Sequence, residues 1–271
     1  MDPVGWRPGW DGHLLLVYEG EPQRRLGVAA WVRRGLDVGA KIFYVEREDV
    51  SLARSLAALL LDQPDAVDAM ASGQIEVVPA DQGVHDLAWQ ERAIEEALHR
   101  YPSVRWSADA TATWGVMPQG RQAEIERATD EVCRSRPVSV MCQYPARESL
   151  DRIGSVSTAH GAGMREELLQ TAPLEEAGLA VSGELDISNR DILRSVLLAA
   201  TTGTPCPLFV LDLSGLYFVD IGGIRTLVGG TEPYRRRGGQ VRLRGAQPQV
   251  DRLLQLFGVG HEPGLLMEAP G

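Results

Sequence analysis

Residues 209–228 read FVLDLSGLYFVDIGGIRTLV, which joins a run of core residues to a helical pattern. The continuous apolar run predicts a buried strand over residues 208–213, and apolar residues at helical spacing predict a helix over residues 221–237. Asp220 stands directly before that helix, where its carboxylate can cap free backbone amides. The two glycines that follow permit another backbone to approach closely. The stretch therefore predicts a strand followed by a capped helix.

The flanking sequence extends this stretch into a small α/β domain. Upstream, the patterns predict a strand over residues 179–185 and a helix over residues 189–201. Downstream, they predict a strand over residues 240–244 and a helix over residues 247–257. We expect this domain to span residues 178–271.

The N-terminal part alternates strands and helices on a larger scale. The patterns predict strands at residues 13–18, 41–45, 74–78, 104–107 and 138–142, and helices at residues 24–38, 51–61, 89–100 and 119–134. Pro64 is expected to close the second of these helices. Such alternation predicts a mainly parallel sheet covered by helices on both faces, in an α/β domain over residues 1–165.

The alternation breaks between the two domains. Residues 160–178 read HGAGMREELLQTAPLEEAG, a stretch that contains Gly161, Gly163 and Pro173. Glycine and proline interrupt regular elements, so we expect a linker over residues 166–177.

Composition and charge narrow the class of protein. The 271 residues exceed the usual size of one domain, and 44% hydrophobic with 24% charged residues is typical of a soluble globular protein. A net charge of -10 argues against binding to nucleic acid or an anionic membrane, which need a positive surface. The three cysteines form no CxxC pair, and no run approaches the ~18 apolar residues of a membrane span. We therefore expect a cytoplasmic protein without a zinc ribbon or a disulfide scaffold.

Motifs that carry enzymatic chemistry are absent. The loop after the first strand reads YEGEPQRR and lacks the GxxxxGK[ST] spacing that cradles phosphates. Lys41 is the only lysine and begins a strand, so ATP hydrolysis by that mechanism is not expected. No GxSxG, HExxH or GxGxxG motif occurs. We expect a non-enzyme, with no catalytic residue, metal or cofactor.

Polar and aromatic residues nevertheless collect near the predicted strand ends. The carboxyl ends of parallel strands form the ligand crevice of an open sheet, so hydroxyls and aromatic rings there predict an amphipathic pocket. Ordinary core packing is the equal alternative, with a structural histidine at His13 and an inert buried thiol at Cys142. The residues that we assign to ligand binding are His13, Tyr18, Tyr44, Arg105, Trp114, Cys142 and Tyr144.

The N-terminal domain resembles a known sensory family. The resemblance lies in HLLLVYEG (13–20), WVRRGLDVGAKIFYVERED (31–49), GQIEVVPADQ (73–82), RWSADATATW (105–114) and VSVMCQYPARES (138–149). These stretches are similar to the MEDS family, named for methanogen, methylotroph and DcmR-type regulators, over about residues 10–162. The resemblance implies a RecA-like α/β sensory domain without a working P-loop, joined to a signalling output module.

The C-terminal domain resembles the STAS family, of the anti-sigma-factor-antagonist type. LAVSGEL (179–185), the stretch 209–228 and GGQVRLRGAQPQVDRLLQLFGV (238–259) carry this resemblance. In that family a DS[ST]G motif starts a helix, and a partner kinase phosphorylates its second hydroxyl residue, which breaks the complex by added charge. Here the motif reads DIGG, so Gly222 occupies the phosphoacceptor place and carries no hydroxyl.

The resemblance assigns partner binding to the loop and the start of the helix. The assigned residues are Ser214, Asp220, Ile221, Gly222, Gly223 and Ile224. Ser214 is either a substitute phosphoacceptor or a turn serine that bonds its own backbone.

These resemblances imply a cytoplasmic regulator. A sensory domain that binds a small molecule or a partner would control a STAS domain that binds an anti-sigma factor or serine kinase, without contact to nucleic acid or membrane. A homodimer is left open. One alternative is an enzyme that uses His13, Arg105 and Cys142, and the other is a scaffold that works without a ligand.

Overall fold

The structure is a computed structural model that describes residues 12–46, 51, 55–60, 63–80, 87–110, 119–146, 150–204 and 207–268. The chain forms two compact units, Met1–Pro145 and Ala146–Gly271. Both contain strands and helices in largely parallel sheets, which confirms the predicted α/β class. Within the described residues, no helix has the length and apolar character needed to cross a membrane.

The described part of the first unit contains a parallel sheet of five strands and the helices that connect them. Its described elements are β1 (His13–Tyr18), α1 (Glu21–Asp37), β2 (Lys41–Glu46), α2 (Leu56–Leu59), α3 (Pro64–Ala71), β3 (Ile75–Pro79), α4 (Leu87–Leu98), β4 (Val104–Asp109), α5 (Gln119–Ser135) and β5 (Val138–Pro145). The strand order is β1-β5-β4-β2-β3, with every neighbouring pair parallel. All five carboxyl ends therefore lie at one edge of the sheet.

The two faces of this sheet pack against different helices. The register aligns His13 with Val140, and Val140 with Trp106, so these side chains share one face. Helices α4 and α5 cover that face. Their buried side chains and those of the strands form one hydrophobic cluster. Helix α1 covers the opposite face, where Gly35 lies against Arg105.

An aromatic cluster anchors α4 on the sheet. The ring centroids of Phe43 and Trp106 lie 5.0 Å apart, and Trp89 of α4 lies 5.9 Å from Trp106 and 6.3 Å from Phe43. The two contacts of Trp89 are edge-to-face, an arrangement worth about 0.5–1.5 kcal/mol beyond the buried area.

The second unit contains a mixed sheet. Its described elements are α6 (Leu150–Ser157), β6 (Met164–Arg165), β7 (Leu169–Pro173), β8 (Gly178–Leu185), α7 (Arg190–Thr201), β9 (Leu208–Val219), α8 (Ile221–Arg236), β10 (Gln240–Arg244), α9 (Pro248–Leu256) and β11 (Leu265–Met267). Strands β8, β9, β10 and β11 pair in parallel, whereas β7 runs antiparallel to β8 and β6 to β7.

Strand β9 is twice as long as predicted, because it continues past residue 213 to Val219. Its pairing with β8 contains two irregularities. Its pairing with β8 shifts between Ala180 and Ser182 and again between Gly183 and Glu184. At the second shift Gly183 pairs with Leu216 but Glu184 with Phe218, so Tyr217 is the extra residue. A bulge of this kind bends the strand and changes the direction in which the neighbouring side chains point.

The structure corrects the predicted linker over residues 166–177. Leu169–Pro173 form β7, which pairs along its whole length with β8. Leu169 and Thr171 are buried while Gln170 is exposed, which is the alternation typical of a strand. The glutamates and the proline in this stretch made the alternation hard to recognise in the sequence.

The second compact unit begins at Ala146, whereas the boundary predicted from the sequence lies at residue 165. Helix α6 was not predicted, and it packs on α7 of the second unit so closely that a Cβ on Gly154 would lie 2.7 Å from the Ser195 carbonyl oxygen. This contact explains why residues 150–157 group with the second unit.

Pro64 has the opposite role to the one predicted. It stands at the first turn of α3, where proline lacks only an amide that would be unpaired anyway. Of the predicted helix over residues 51–61, the structure shows α2, while residues 52–54 and 61 lie outside the described residues.

Candidate functional site

A buried arginine organises the polar side chains on the α1 face of the first sheet. Arg24 Nη2 donates to the Tyr44 hydroxyl at 2.7 Å, and Arg24 Nε donates to Gln143 Oε1 at 2.8 Å. Nε also lies 3.5 Å from Asp109 Oδ2, which accepts a hydrogen bond from the Tyr18 hydroxyl at 3.1 Å. We call these five residues the Arg24 cluster. It ties the start of α1 to the carboxyl-end half of four strands.

Burial and the neighbouring charges oppose each other in the Arg24 cluster. Burial raises the pKa of Tyr44 to about 12, although the neighbouring Arg24 opposes the shift. Burial by itself lowers the pKa of Arg24, but the attraction of Tyr44, Asp109 and Glu21 raises it above its ordinary value. At neutral pH the cluster therefore holds a charged guanidinium beside a neutral phenol.

A second polar group lies on the opposite face, between the sheet and α5. His13 Nε2 lies 3.2 Å from Glu126 Oε2 and 3.5 Å from Cys142 Sγ, and the Cys142 thiol donates to Glu126 Oε2 at 3.4 Å. The Tyr144 hydroxyl donates to Glu126 Oε1 at 2.7 Å, and the Gln122 amide donates to that hydroxyl. We call these five residues the His13 cluster.

The protonation of the His13 cluster disfavours nucleophilic chemistry. Burial and the adjacent Glu126 carboxylate raise the pKa of the Cys142 thiol well above its ordinary value. The same two causes raise the pKa of Tyr144. A reactive cysteine needs a lowered pKa, so Cys142 is a poor nucleophile in this environment.

The residues assigned to ligand binding do not converge on one crevice. Tyr18 and Tyr44 belong to the Arg24 cluster. His13, Cys142 and Tyr144 belong to the His13 cluster, on the other face of the same sheet. All of these side chains are buried or half-buried, and the tyrosine hydroxyls bond to protein groups.

Arg105, which was assigned to ligand binding, lies apart from both clusters and packs on Trp31. It is the second residue of β4, near the amino end of the strand, whereas the predicted crevice lies at the carboxyl ends. Its Nη1 donates to the Trp31 carbonyl oxygen at 2.9 Å, and its guanidinium lies 4.9 Å from the Trp31 ring centroid. Trp114 lies outside the described residues.

Sequence reasoning missed Arg24 and Glu126, the residues that hold the two clusters together. Both lie on helices rich in charged residues, where an inward-facing charge has no distinct pattern. The available signal was position, since Arg24 lies in the first turns of the helix that follows β1, next to the carboxyl ends of the strands.

In the second unit, Asp220 caps helix α8 as predicted from its position. Its Oδ1 accepts a hydrogen bond from the Gly223 amide at 2.6 Å. Gly223 is buried so closely against β8 that a Cβ there would lie 2.7 Å from Leu185 Cγ. Ile224 is also buried, so both of these residues pack the helix onto the sheet.

Gly222 has a different environment. A Cβ at this position would lie 2.6 Å from Arg190 Nη1, the far end of a flexible side chain. The place that the resemblance assigns to phosphorylation therefore adjoins a guanidinium.

Four exposed apolar side chains lie at the end of the sheet where α8 begins. Tyr217 and Phe218, at the bulge of β9, are 51% and 48% exposed, and Ile221 in the first turn of α8 is 50% exposed. Ile187, which follows β8 at the same end of the sheet, is 70% exposed. We call these four residues the apolar face.

Ser214 is engaged by a local carboxylate. Its amide donates to Asp212 Oδ1 at 3.0 Å, and Arg244 Nε donates to Asp212 Oδ2 at 3.0 Å. Burial raises the pKa of Asp212, but hydrogen bonds from Ser214 and Arg244 outweigh it and hold that pKa below its ordinary value. A phosphate on Ser214 would therefore stand beside a carboxylate that stays charged.

Comparison with known families matches both parts of the chain. A model of the methanogen/methylotroph, DcmR sensory domain, MEDS, matches residues 12–161, and a model of the Mlab, STAS domain matches residues 168–268. An anti-sigma F factor antagonist from Paenibacillus polymyxa is 32% identical over 79 residues, which make up 29% of this chain and 68% of that protein.

Two solved structures are similar to parts of the chain. An anti-sigma factor antagonist from Mycobacterium paratuberculosis is 25% identical with a TM-score of 0.31, over 36% of this chain and 85% of that one. A KaiC-like protein from Pyrococcus horikoshii OT3 is 13% identical with a TM-score of 0.43, over 64% of this chain and 79% of that one.

The MEDS match covers more than half of the 271 residues, and the STAS match takes up most of the remainder. Both resemblances drawn from the sequence are thereby confirmed. The chain belongs to the MEDS family of sensory domains and carries a C-terminal STAS domain homologous to anti-sigma factor antagonists.

Proposed function

We propose that this protein is a signalling regulator whose STAS domain binds an anti-sigma factor or a serine kinase through the apolar face. The observation that carries the proposal is the exposure of Ile187, Tyr217, Phe218 and Ile221 around a capped helix start. Large apolar side chains that stay exposed together mark interaction surfaces. The similarity to an anti-sigma F factor antagonist favours a partner of that class.

The proposed role of the first unit is control of this binding, not catalysis. The raised pKa of Cys142 argues against a nucleophile. Only Glu19 and Gly20 join β1 to α1, and Glu21 opens the helix, so the turn offers acidic groups where phosphates would need a glycine-rich cradle. A ligand that binds one state of this unit better than another would shift the availability of the STAS domain.

Binding of the STAS domain to its partner through the apolar face is tested once that partner has been identified. The tagged full chain is used to capture proteins from its source cells, and mass spectrometry must identify an anti-sigma factor or serine kinase, whose affinity is then measured with both proteins purified. We expect Phe218→Ala and Ile221→Ala to weaken binding at least tenfold.

Leu256→Ala is the matched control, because Leu256 is 75% exposed in the same unit but lies on α9. Equal losses for all three variants, or none for the first two, would exclude the apolar face as the contact surface.

A further inference from the structure

We propose that the first unit binds one Zn²⁺ ion through His13, Glu126 and Cys142. Three different donor atoms converge there: His13 Nε2, Glu126 Oε2 and Cys142 Sγ. They come from β1, α5 and β5, and each side chain is buried or half-buried. The site stands independently of any partner of the STAS domain.

The separations of these donor atoms suit a tetrahedral zinc ion. Zinc bonds of about 2.0–2.2 Å to nitrogen or oxygen and about 2.3 Å to sulfur place neighbouring ligand atoms about 3.3–3.6 Å apart. The nitrogen and oxygen here are 3.2 Å apart, the sulfur and oxygen 3.4 Å, and the sulfur and nitrogen 3.5 Å. Three atoms at such mutual distances form one face of a zinc coordination tetrahedron with little rearrangement.

The groups behind the donor atoms hold them in place. Glu126 Oε1 accepts a hydrogen bond from the Tyr144 hydroxyl at 2.7 Å. The other oxygen, Oε2, therefore lies on the side of His13 and Cys142. The other ring nitrogen of His13, Nδ1, faces Asp130 Oδ1 at 3.9 Å, and Arg134 holds Asp130 through a 2.8 Å ion pair. Carboxylates and hydroxyls in these positions orient the ligands of protein metal sites.

The donor set selects zinc over harder cations. Mg²⁺ and Ca²⁺ prefer oxygen ligands throughout, whereas imidazole, thiolate and carboxylate together suit Zn²⁺. Zinc binding here displaces the proton of the Cys142 thiol, which is released to solvent. A divalent cation would also offset the burial of the Glu126 carboxylate beside a cysteine sulfur.

The test measures zinc on the full chain. Untagged protein is incubated with Zn²⁺, dialysed, and its bound zinc is measured by inductively coupled plasma mass spectrometry. We expect about one ion per chain in the wild type, and at least a tenfold loss of bound zinc in His13→Gln and Cys142→Ser. Glu124→Gln removes an exposed carboxylate from the same helix as Glu126 and should retain the ion.

Cobalt replaces zinc in a second measurement. Co²⁺ bound by a thiolate shows a near-ultraviolet charge-transfer band, which we expect in the wild type and in Cys133→Ala but not in Cys142→Ser. Cys133 is the matched thiol, because it is buried in the core cluster of the same unit.

Three outcomes would overturn the proposal: wild-type protein with well under one zinc per chain, zinc retained in full by both ligand variants, or a cobalt band that depends on Cys133. The wild-type measurement decides the question even where a variant fails to fold.

Discussion

The guanidinium of Arg190 occupies the space that a side chain at Gly222 would enter, with Nη1 2.6 Å from the position of a Cβ. The resemblance to the antagonist type of STAS domain assigns the phosphoacceptor hydroxyl to this place. An anion here would meet Arg190, which favours negative charge, but also the Asp220 carboxylate, whose Oδ1 lies 3.2 Å from the same Cβ position. The position thus lies between a guanidinium and the carboxylate that caps α8, and the residue itself has no hydroxyl.

Gly222→Asp tests whether charge at this place controls partner binding. The carboxylate adjoins the apolar face, so we expect the purified partner to bind at least tenfold more weakly, a loss of about 1.4 kcal/mol. The fold should persist because the flexible end of Arg190 can move aside. Ser214→Ala, the control, should change affinity less than twofold. Unchanged affinity for Gly222→Asp together with phosphorylation of Ser214 in cells would contradict this expectation.

Loss of the α8 cap should destabilise the second unit. Asp220→Ala removes the acceptor of the Gly223 amide, which costs about 0.5–2 kcal/mol at a helix N-cap. We expect the melting temperature of this unit, followed by circular dichroism, to fall by about 2–8 °C. Asp220→Asn keeps the acceptor oxygen without the charge and should recover most of the loss. If both variants melt alike, the carboxylate acts through its charge and not as a cap.

Two helical glycines should respond to alanine with opposite signs. A Cβ on Gly35 would lie 2.6 Å from Arg105 Cδ and 2.9 Å from Ile42 Cδ1, so Gly35→Ala should destabilise the first unit by about 1–3 kcal/mol. Gly229 in α8 has open space around it, and Gly229→Ala should stabilise the second unit by about 0.5–1 kcal/mol. Urea unfolding measures both. A stabilising Gly35→Ala would mean that α1 does not pack so tightly on Arg105.

The raised pKa of Tyr44 makes stability depend on alkaline pH. Because burial raises that pKa from 10.0 to about 12, the folded state keeps the phenol proton that the unfolded state loses first. The contribution of Tyr44 is fully present below pH 10 and is lost as pH rises to about 12. The free energy of unfolding should therefore fall over this range by roughly 2 kcal/mol more in the wild type than in Tyr44→Phe. Parallel pH profiles for the two proteins would show that Tyr44 is not the group responsible.

The order of the strands and helices was largely predictable, because each strand of the first sheet is a short apolar run. The contacts of the two clusters were not. His13 and Cys142 lie 129 residues apart and meet only because β1 pairs with β5, and a strand order of β1-β5-β4-β2-β3 leaves no trace in hydrophobic periodicity. Strand β9 exceeded its predicted length for a similar reason, since its bulges depend on pairing with β8.

The aromatic cluster of Phe43, Trp89 and Trp106 has a spectroscopic consequence. All six tryptophans of the chain precede residue 146, so every one belongs to the first unit. Indole fluorescence therefore reports on the sensory unit alone, while Tyr217 and Tyr234 are the phenol chromophores of the other. In the intact chain, emission excited at the red edge of the absorption band is expected to follow melting of the first unit without an indole signal from the STAS domain. The protein thus carries an intrinsic optical label that distinguishes its two units without any added dye.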